Sequence, residues 1–195
     1  MEHPVPAWTP SPETIRNAEV TAFIDWLARE RGIELAGYDA LWRWSVTDID
    51  AFWSAVWDYF AIPSVTPRGK ALADARMPGA VWFPGVELNY VEQVFRHATD
   101  TRPAIVFRNE AGEDRDVSWS ELQRQVGALA ATLRAQGVGR GDRVVAFMPN
   151  IPESVIAFLA VASLGAIWSV CSPDMGRVAV LDRFRQIEPK AMIAI

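Results

Sequence analysis

The residues best placed to bind or transform a ligand are Cys171-Ser172-Pro173-Asp174-Met175-Gly176. This segment follows an apolar run that reads as a strand and precedes a run with helical spacing. In open parallel sheets, ligands sit at the carboxyl ends of strands. A hydroxyl and a carboxylate here, with Arg177 and Arg183 nearby, suit a phosphate-bearing ligand. The same residues also suit an ordinary helix start with Asp174 as its cap, and both uses stay open. Cys171 carries a nucleophilic atom, but neither His3 nor His97 stands where a base beside it is expected. It therefore reads as a small buried hydrophobe.

Other chemistry-bearing patterns have plainer readings. Gly137-Val138-Gly139-Arg140-Gly141 has the glycines of a phosphate loop, yet it follows a helical run and precedes a strand. That reverses the strand-loop-helix order that aims backbone N–H groups at phosphate, so a turn is expected. No Walker-type lysine loop and no dinucleotide fingerprint occurs. The carboxylates Glu110, Glu113, Asp114 and Asp116 crowd one hairpin turn and read as solvated turn charges rather than metal ligands. Ile49, Phe52, Trp53, Val56, Trp57 and Phe60 recur at spacings of three and four, which makes a helix with one apolar stripe. Its indoles are read as core packing against an α/β body, not as a cofactor box.

The elements that would position these residues change in kind near residue 100. Residues 1–100 are helical in pattern and hold seven of the nine tryptophans. Ser11-Pro12-Glu13 opens a helical stretch to Arg31, with Gly32 as its stop. The Trp53 helix ends at Pro63. Residues 62–76 read as a connecting loop, 77–85 as an irregular proline-punctuated crossing, and a further helix begins near Asn89. Residues 101–195 alternate instead. Ala104–Arg108 and Asp116–Ser118 read as strands joined by a turn, and Ser118-Trp119-Ser120-Glu121 as a capping box. Leu122, Val126, Leu129 and Leu133 continue that helix on one face. Strands at Arg143–Met148, Ala166–Val170 and Ala191–Ile195 are separated by helices opening at Pro152 and Arg177. The order of strand, helix, strand, helix, strand, helix, strand is that of a parallel α/β sheet with right-handed crossovers.

Composition narrows the function classes. A chain of 195 residues, 50% hydrophobic, suffices for one domain with a real core and is too short for two full ones. The net charge of -5, without a basic face or arm, speaks against nucleic acid. A single cysteine excludes an internal disulfide framework and zinc clusters and fits a reducing cytoplasm. The start, Met1 to Pro6, is acidic and proline-broken, unlike a secretory signal. Ser154 to Pro173 carries no charge, but Gly165 and the acidic flanks Glu153 and Asp174 favour a buried helix followed by a buried strand over a membrane span.

Several of these segments match a known pattern. Leu41-Trp42-Arg43-Trp44-Ser45-Val46 with Phe52-Trp53, and Trp82-Phe83-Pro84-Gly85 with Leu88-Asn89-Tyr90, resemble the amino-terminal segment that precedes the adenylation domain of acetyl- and acetoacetyl-CoA synthetases. Gly137-Val138 through Val144, Pro149-Asn150 and Ser163–Ala166 are shared widely among adenylate-forming acyl-CoA ligases. Ile167–Asp174 and Arg183–Lys190 are similar to the acetoacetate branch; in the acetate branch the loop corresponding to Ser172–Asp174 is richer in glycine. The chain thus resembles the amino-terminal part of that branch over essentially its whole length. The resemblance implies a helical segment over 1–100, then at 101–195 the first part of a parallel-sheet adenylation domain, truncated within the sheet. It also implies an ATP-dependent acid–thiol ligase that uses Mg2+ and CoA and forms acetoacetyl-CoA through an acyl-adenylate.

By the same resemblance, Ser172, Pro173 and Asp174 fall where coenzyme A is lined. The family's phosphate loop, adenylate-binding aspartate and catalytic lysine lie further along and have no counterpart here, so no catalytic or metal-ligating residue is assigned. Partners are small-molecule substrates, with no nucleic acid or membrane, and the oligomeric state is left open. The apolar run Ala191–Ile195 would leave an uncovered sheet edge, which is expected of the front part of a longer protein. Alone, the chain is expected to be inactive and prone to aggregate; acetoacetyl-CoA formation or a sharp monomeric melt would contradict this. A ligase for another short acid such as acetate or propionate is the alternative within the class. A complete, non-catalytic binding or interaction module is the alternative outside it, and the coding sequence after Ile195 separates the two.

Overall fold

The computed structural model describes residues 7–195; Met1 to Pro6, with His3 and the acidic start, lie outside the described residues. The chain forms two compact units, Met1–Glu87 and Leu88–Ile195.

In the first unit Ser11 caps α1 (Pro12–Arg16), its hydroxyl accepting from the Thr14 N–H at 3.1 Å. The single helical stretch expected to run to Arg31 is broken. Ala18 is extended, and α2 runs from Glu19 to Arg31 before Gly32 ends it in the left-handed region. Asn17, a weak helix former that favours caps, sits at the break. The Thr21 hydroxyl donates to the Ile15 carbonyl at 2.6 Å and ties the two pieces together. A helix not marked in the sequence follows, α3 (Tyr38–Thr47), whose cap Gly37 offers no side-chain signal. Asp48 then caps α4 (Ile49–Tyr59) by accepting from the Ala51 N–H at 3.1 Å. Two short antiparallel strands, β1 (Leu72–Asp74) and β2 (Val81–Trp82), replace part of the expected loop and crossing. The indoles find partners inside this unit. Phe23, Leu27, Leu41 and Ala55 are buried among Trp26, Trp44, Phe52 and Tyr59. Trp57 lies 4.9 Å from the Phe83 ring and Trp53 6.0 Å from Trp82, centroid to centroid.

The second unit opens with α5 (Tyr90–Phe95), capped by Asn89. The hairpin β3 (Ile105–Arg108) and β4 (Asp114–Val117) leads into α6 (Trp119–Ala135). Ser118 caps α6 as expected, but Glu121 turns to Arg124 and Gln125, and those bonds hold its carboxyl down at about 2. Then come β5 (Arg143–Phe147), α7 (Pro152–Ser163), β6 (Ile167–Cys171), α8 (Arg177–Ile187) and β7 (Ala191–Ala194). The last three strands form a parallel sheet in the order β6-β5-β7, whereas β4, read as the opening strand of the parallel series, pairs antiparallel with β3. Alternation assigns the faces. Val144 packs towards α6 and α7 with Leu133, Leu159 and Val161, while Val145 packs towards α8 with Cys171, Val180 and Phe184. Asn89 Nδ2 donates to the Ser163 carbonyl at 3.0 Å, tying the start of α5 to the end of α7.

The glycine-rich stretch proves to be a clamp at the amino ends of these strands. Its amides are spent internally: Gly137 N–H donates to Arg134 O, Gly139 N–H to Asp142 Oδ2 at 2.8 Å and Gly141 N–H to Gly165 O. Lys190, entering β7, donates to Gly137 O at 2.5 Å and to Asp142 Oδ2 at 2.9 Å. Arg143 reaches the Ile187 and Glu188 carbonyls at 2.8 and 3.0 Å, holding the end of α8. Lys190 first, and the Gly139 amide second, lower the Asp142 carboxyl below its ordinary 3.8. A carboxyl depressed in the folded state contributes stability that is full above its unfolded value and lost as pH falls through the folded one. Asp142→Asn is therefore expected to flatten the acid limb of a melting-temperature profile below pH 3.8; an unchanged limb would count against the clamp.

Candidate functional site

At the opposite end of the sheet, the exits of β5 and β6 lie side by side: Met148 N–H donates to Cys171 O at 3.2 Å. After β5, Ser154 Oγ donates to the Pro149 carbonyl at 2.7 Å and fixes the Pro149-Asn150-Ile151 bend, from which Pro152 opens α7. After β6, the Met175 N–H donates to the Ser172 carbonyl at 3.1 Å, closing a turn whose Ser172, Pro173 and Asp174 are all exposed. The sequence-derived loop thus stands at the carboxyl end of a parallel sheet, the edge where such folds take ligands.

The two uses left open for Asp174 now separate. The cap residue of α8 is Gly176, and no side chain accepts a hydrogen bond there, so Asp174 does not cap the helix. Its carboxylate stands free of the role that would have explained it away. Arg177 and Arg183 also separate, since six residues carry them to different faces of α8. Arg177 lines a shallow hollow of about 390 Å³ with Val178, Leu181, Asp182 and Arg185. Arg183 instead folds back towards the loop, its Nη1 lying 3.6 Å from Met175 Sδ. Sequence reading did not find this contact; the signal was a cation on the helix that follows the loop, but side-chain direction is not written in spacing.

The remaining candidates have structural explanations. Cys171 is 3% exposed among Val145, Val180 and Phe184. His97 faces Gln93 at 3.4 Å on the exposed end of α5. In the hairpin, Asp114 and Asp116 pair with Arg108, and Glu113 accepts from Asn109 at 3.0 Å. Among the described residues no cluster of His, Cys, Asp and Glu could hold a metal ion, and no helix is long and apolar enough to cross a membrane.

Comparison with known proteins agrees with the fold. Residues 92–194 match the model for the AMP-binding enzymes, and residues 38–94 match the acetyl-coenzyme A synthetase N-terminus. The chain is 44% identical over 194 residues to the acetoacetyl-coenzyme A synthetase of Rhizobium meliloti (strain 1021), covering 99% of this chain and 30% of that protein. The acetoacetyl-CoA synthetase of Xenopus tropicalis is 37% identical over 191 residues, 94% of this chain and 28% of its own length. Among solved structures, the acetoacetyl-CoA synthetase from Streptomyces lividans superposes with a TM-score of 0.92 at 46% identity, over 98% of this chain and 30% of that one. The chain thus spans about 30% of the length of the relatives it matches, corresponding to their amino-terminal part.

Proposed function

The chain belongs to the AMP-binding enzyme family, and on that premise we propose that it is part of an ATP-dependent ligase that joins acetoacetate to coenzyme A. One observation carries the choice of acid: the match at TM-score 0.92 and 46% identity, over 98% of this chain, is to an acetoacetyl-CoA synthetase. In the proposed reaction the carboxylate attacks the α-phosphate of ATP, giving an acyl-adenylate and pyrophosphate, and the thiol of coenzyme A then displaces AMP. This chain's share is the coenzyme end of the site. Ser172, Pro173 and Asp174, exposed on a turn braced by the Met175–Ser172 hydrogen bond, are assigned to lining coenzyme A. The magnesium implied with ATP has no ligand set among the described residues, so none of the steps assigned to this chain runs through it. The setting proposed is the reducing cytoplasm, which the lone buried Cys171 suits.

The test is an acid panel on the full product of the gene that encodes this chain. With ATP, magnesium and coenzyme A, acetoacetate is expected to give a kcat/KM about tenfold or more above acetate and propionate, the discrimination available from a few added polar contacts. Preference for another acid would overturn the acetoacetate assignment, and no acid-dependent release of pyrophosphate would overturn the ligase.

A further inference from the structure

We propose that Arg183 is the side chain that receives a phosphate of coenzyme A at the Ser172–Asp174 loop, a reading that rests on the ligase proposed above. The guanidinium is exposed, sits on the helix that leaves this loop, and reaches back to it, Nη1 to Met175 Sδ at 3.6 Å. A thioether sulfur is a weak acceptor, whereas arginine carries five N–H donors in a fixed fork. Met175 therefore orients the group without using it up. Arg183 takes part in none of the ion pairs among the described residues, so its charge is not neutralised by Asp174 or by any other acid. Arg108, Arg115, Arg124 and Arg143 are spent on other partners, and Arg102, Arg134, Arg177 and Arg185, which like Arg183 form no ion pair among the described residues, make no side-chain hydrogen bond to this loop as Arg183 does.

An unpaired guanidinium held at the mouth of a sheet, next to an exposed turn, matches the bidentate demand of a phosphate ester. Both ATP and coenzyme A carry such groups, and the position on the loop assigned to the coenzyme favours the latter. Met175 closes the same turn that presents Ser172, so the residue that meets the cation belongs to the loop itself. Asp174 is exposed beside Met175 on the same turn.

The full gene product and its Arg183→Met, Arg183→Lys, Arg185→Met and Met175→Leu variants test this by two readouts. One is calorimetric binding of coenzyme A. The other is a pair of rates: acid-dependent exchange of pyrophosphate into ATP, which needs no thiol, and thioester formation with coenzyme A or with pantetheine, which has no phosphate. Arg183→Met is expected to weaken coenzyme A binding and raise its KM about tenfold or more, the effect of losing charge-assisted bonds to phosphate. Exchange and pantetheine turnover should stay within about twofold, as should every readout of Arg185→Met, whose arginine lines the hollow elsewhere on α8. Arg183→Lys, which keeps the charge but not the fork, should fall between.

A fall in exchange equal to the fall in thioester formation would move the contact to ATP and overturn the proposal. So would an equal loss with pantetheine, unchanged coenzyme A binding, or a Met175→Leu variant that weakens coenzyme A binding more than Arg183→Met does, since the loop and not the arginine would then carry the contact. If the unsubstituted protein shows no exchange with any acid, the ligase reading itself falls, and this one with it.

Discussion

Val145→Asp is expected to leave the protein without a cooperative melt. Val145 is fully buried at the middle of β5, paired with Ser169 of β6 on one side and Met192 of β7 on the other. Its side chain meets Cys171, Val180 and Phe184 beneath α8, an apolar setting. An ionised carboxylate there is prohibitive. A protonated one still leaves a polar group without a partner, at about 2–7 kcal/mol, in addition to the lost packing. Against a net stability of about 5–15 kcal/mol for a typical domain, that removes most or all of the margin. Val145→Ala, which only opens a small cavity, should keep a sharp transition at lower temperature. Circular dichroism melts of the gene product and both variants decide the matter, and a Val145→Asp protein that melts like the original would refute the two-sided burial of β5.

Leu27→Ala should cost the first unit about 2–5 kcal/mol, the range for emptying a leucine site in a packed core. Leu27 is fully buried in the cluster formed with Phe23, Leu41 and Ala55, one from each of the three longer helices and a second from α2. The aromatic rings around it limit collapse into the vacated space, because Phe23 is already held against Tyr59 at 5.0 Å and against Phe52 at 6.2 Å between centroids. Leu27→Met, nearly volume-conserving, should lose less than about 1.5 kcal/mol. Hydrogen exchange of the α2, α3 and α4 amides reads the effect locally; a loss below about 1 kcal/mol for the alanine variant would mean that the site can close up.

The parts of this fold legible in the sequence are those where period and punctuation agree. The Phe52 to Trp57 stripe, the Ser118 cap, the Gly137 and Gly165 stops and the β5, β6 and β7 runs all combine an apolar pattern with a boundary residue. Where one of the two was missing, the reading slipped. Helix α3 has Leu41 buried but Tyr38, Trp42 and Val46 exposed, and it opens on a glycine without a side-chain cap, so it carried neither a clean stripe nor a start signal. The break at Asn17–Ala18 is marked only by the weak helix former Asn17, with no glycine or proline beside it.

Legibility of the site has the same limit at finer scale. The loop itself could be found, because a strand end followed by a helix start is visible in residue types. Its roles could not. Aspartate is a strong cap wherever it precedes a helix, yet here Gly176 intervenes and takes the cap position. Arg183 reaches back along α8 to Met175 in the preceding loop, a contact set by side-chain direction and not by sequence separation.

The order of the parallel sheet bears on how the protein is made. Strands leave the ribosome as β5, β6, β7, but they stand as β6-β5-β7, so the middle strand is the first to emerge. Once Trp168 is out, β6 can close one side of Val144; the other side waits for Ala191. In that interval a nascent chain displays the open backbone edge of Val144–Phe147, and Ile187 and Glu188 at the end of α8 have not yet met Arg143. The period of synthesis between Cys171 and Ala191 is therefore when a ribosome-bound chaperone protects this sheet most.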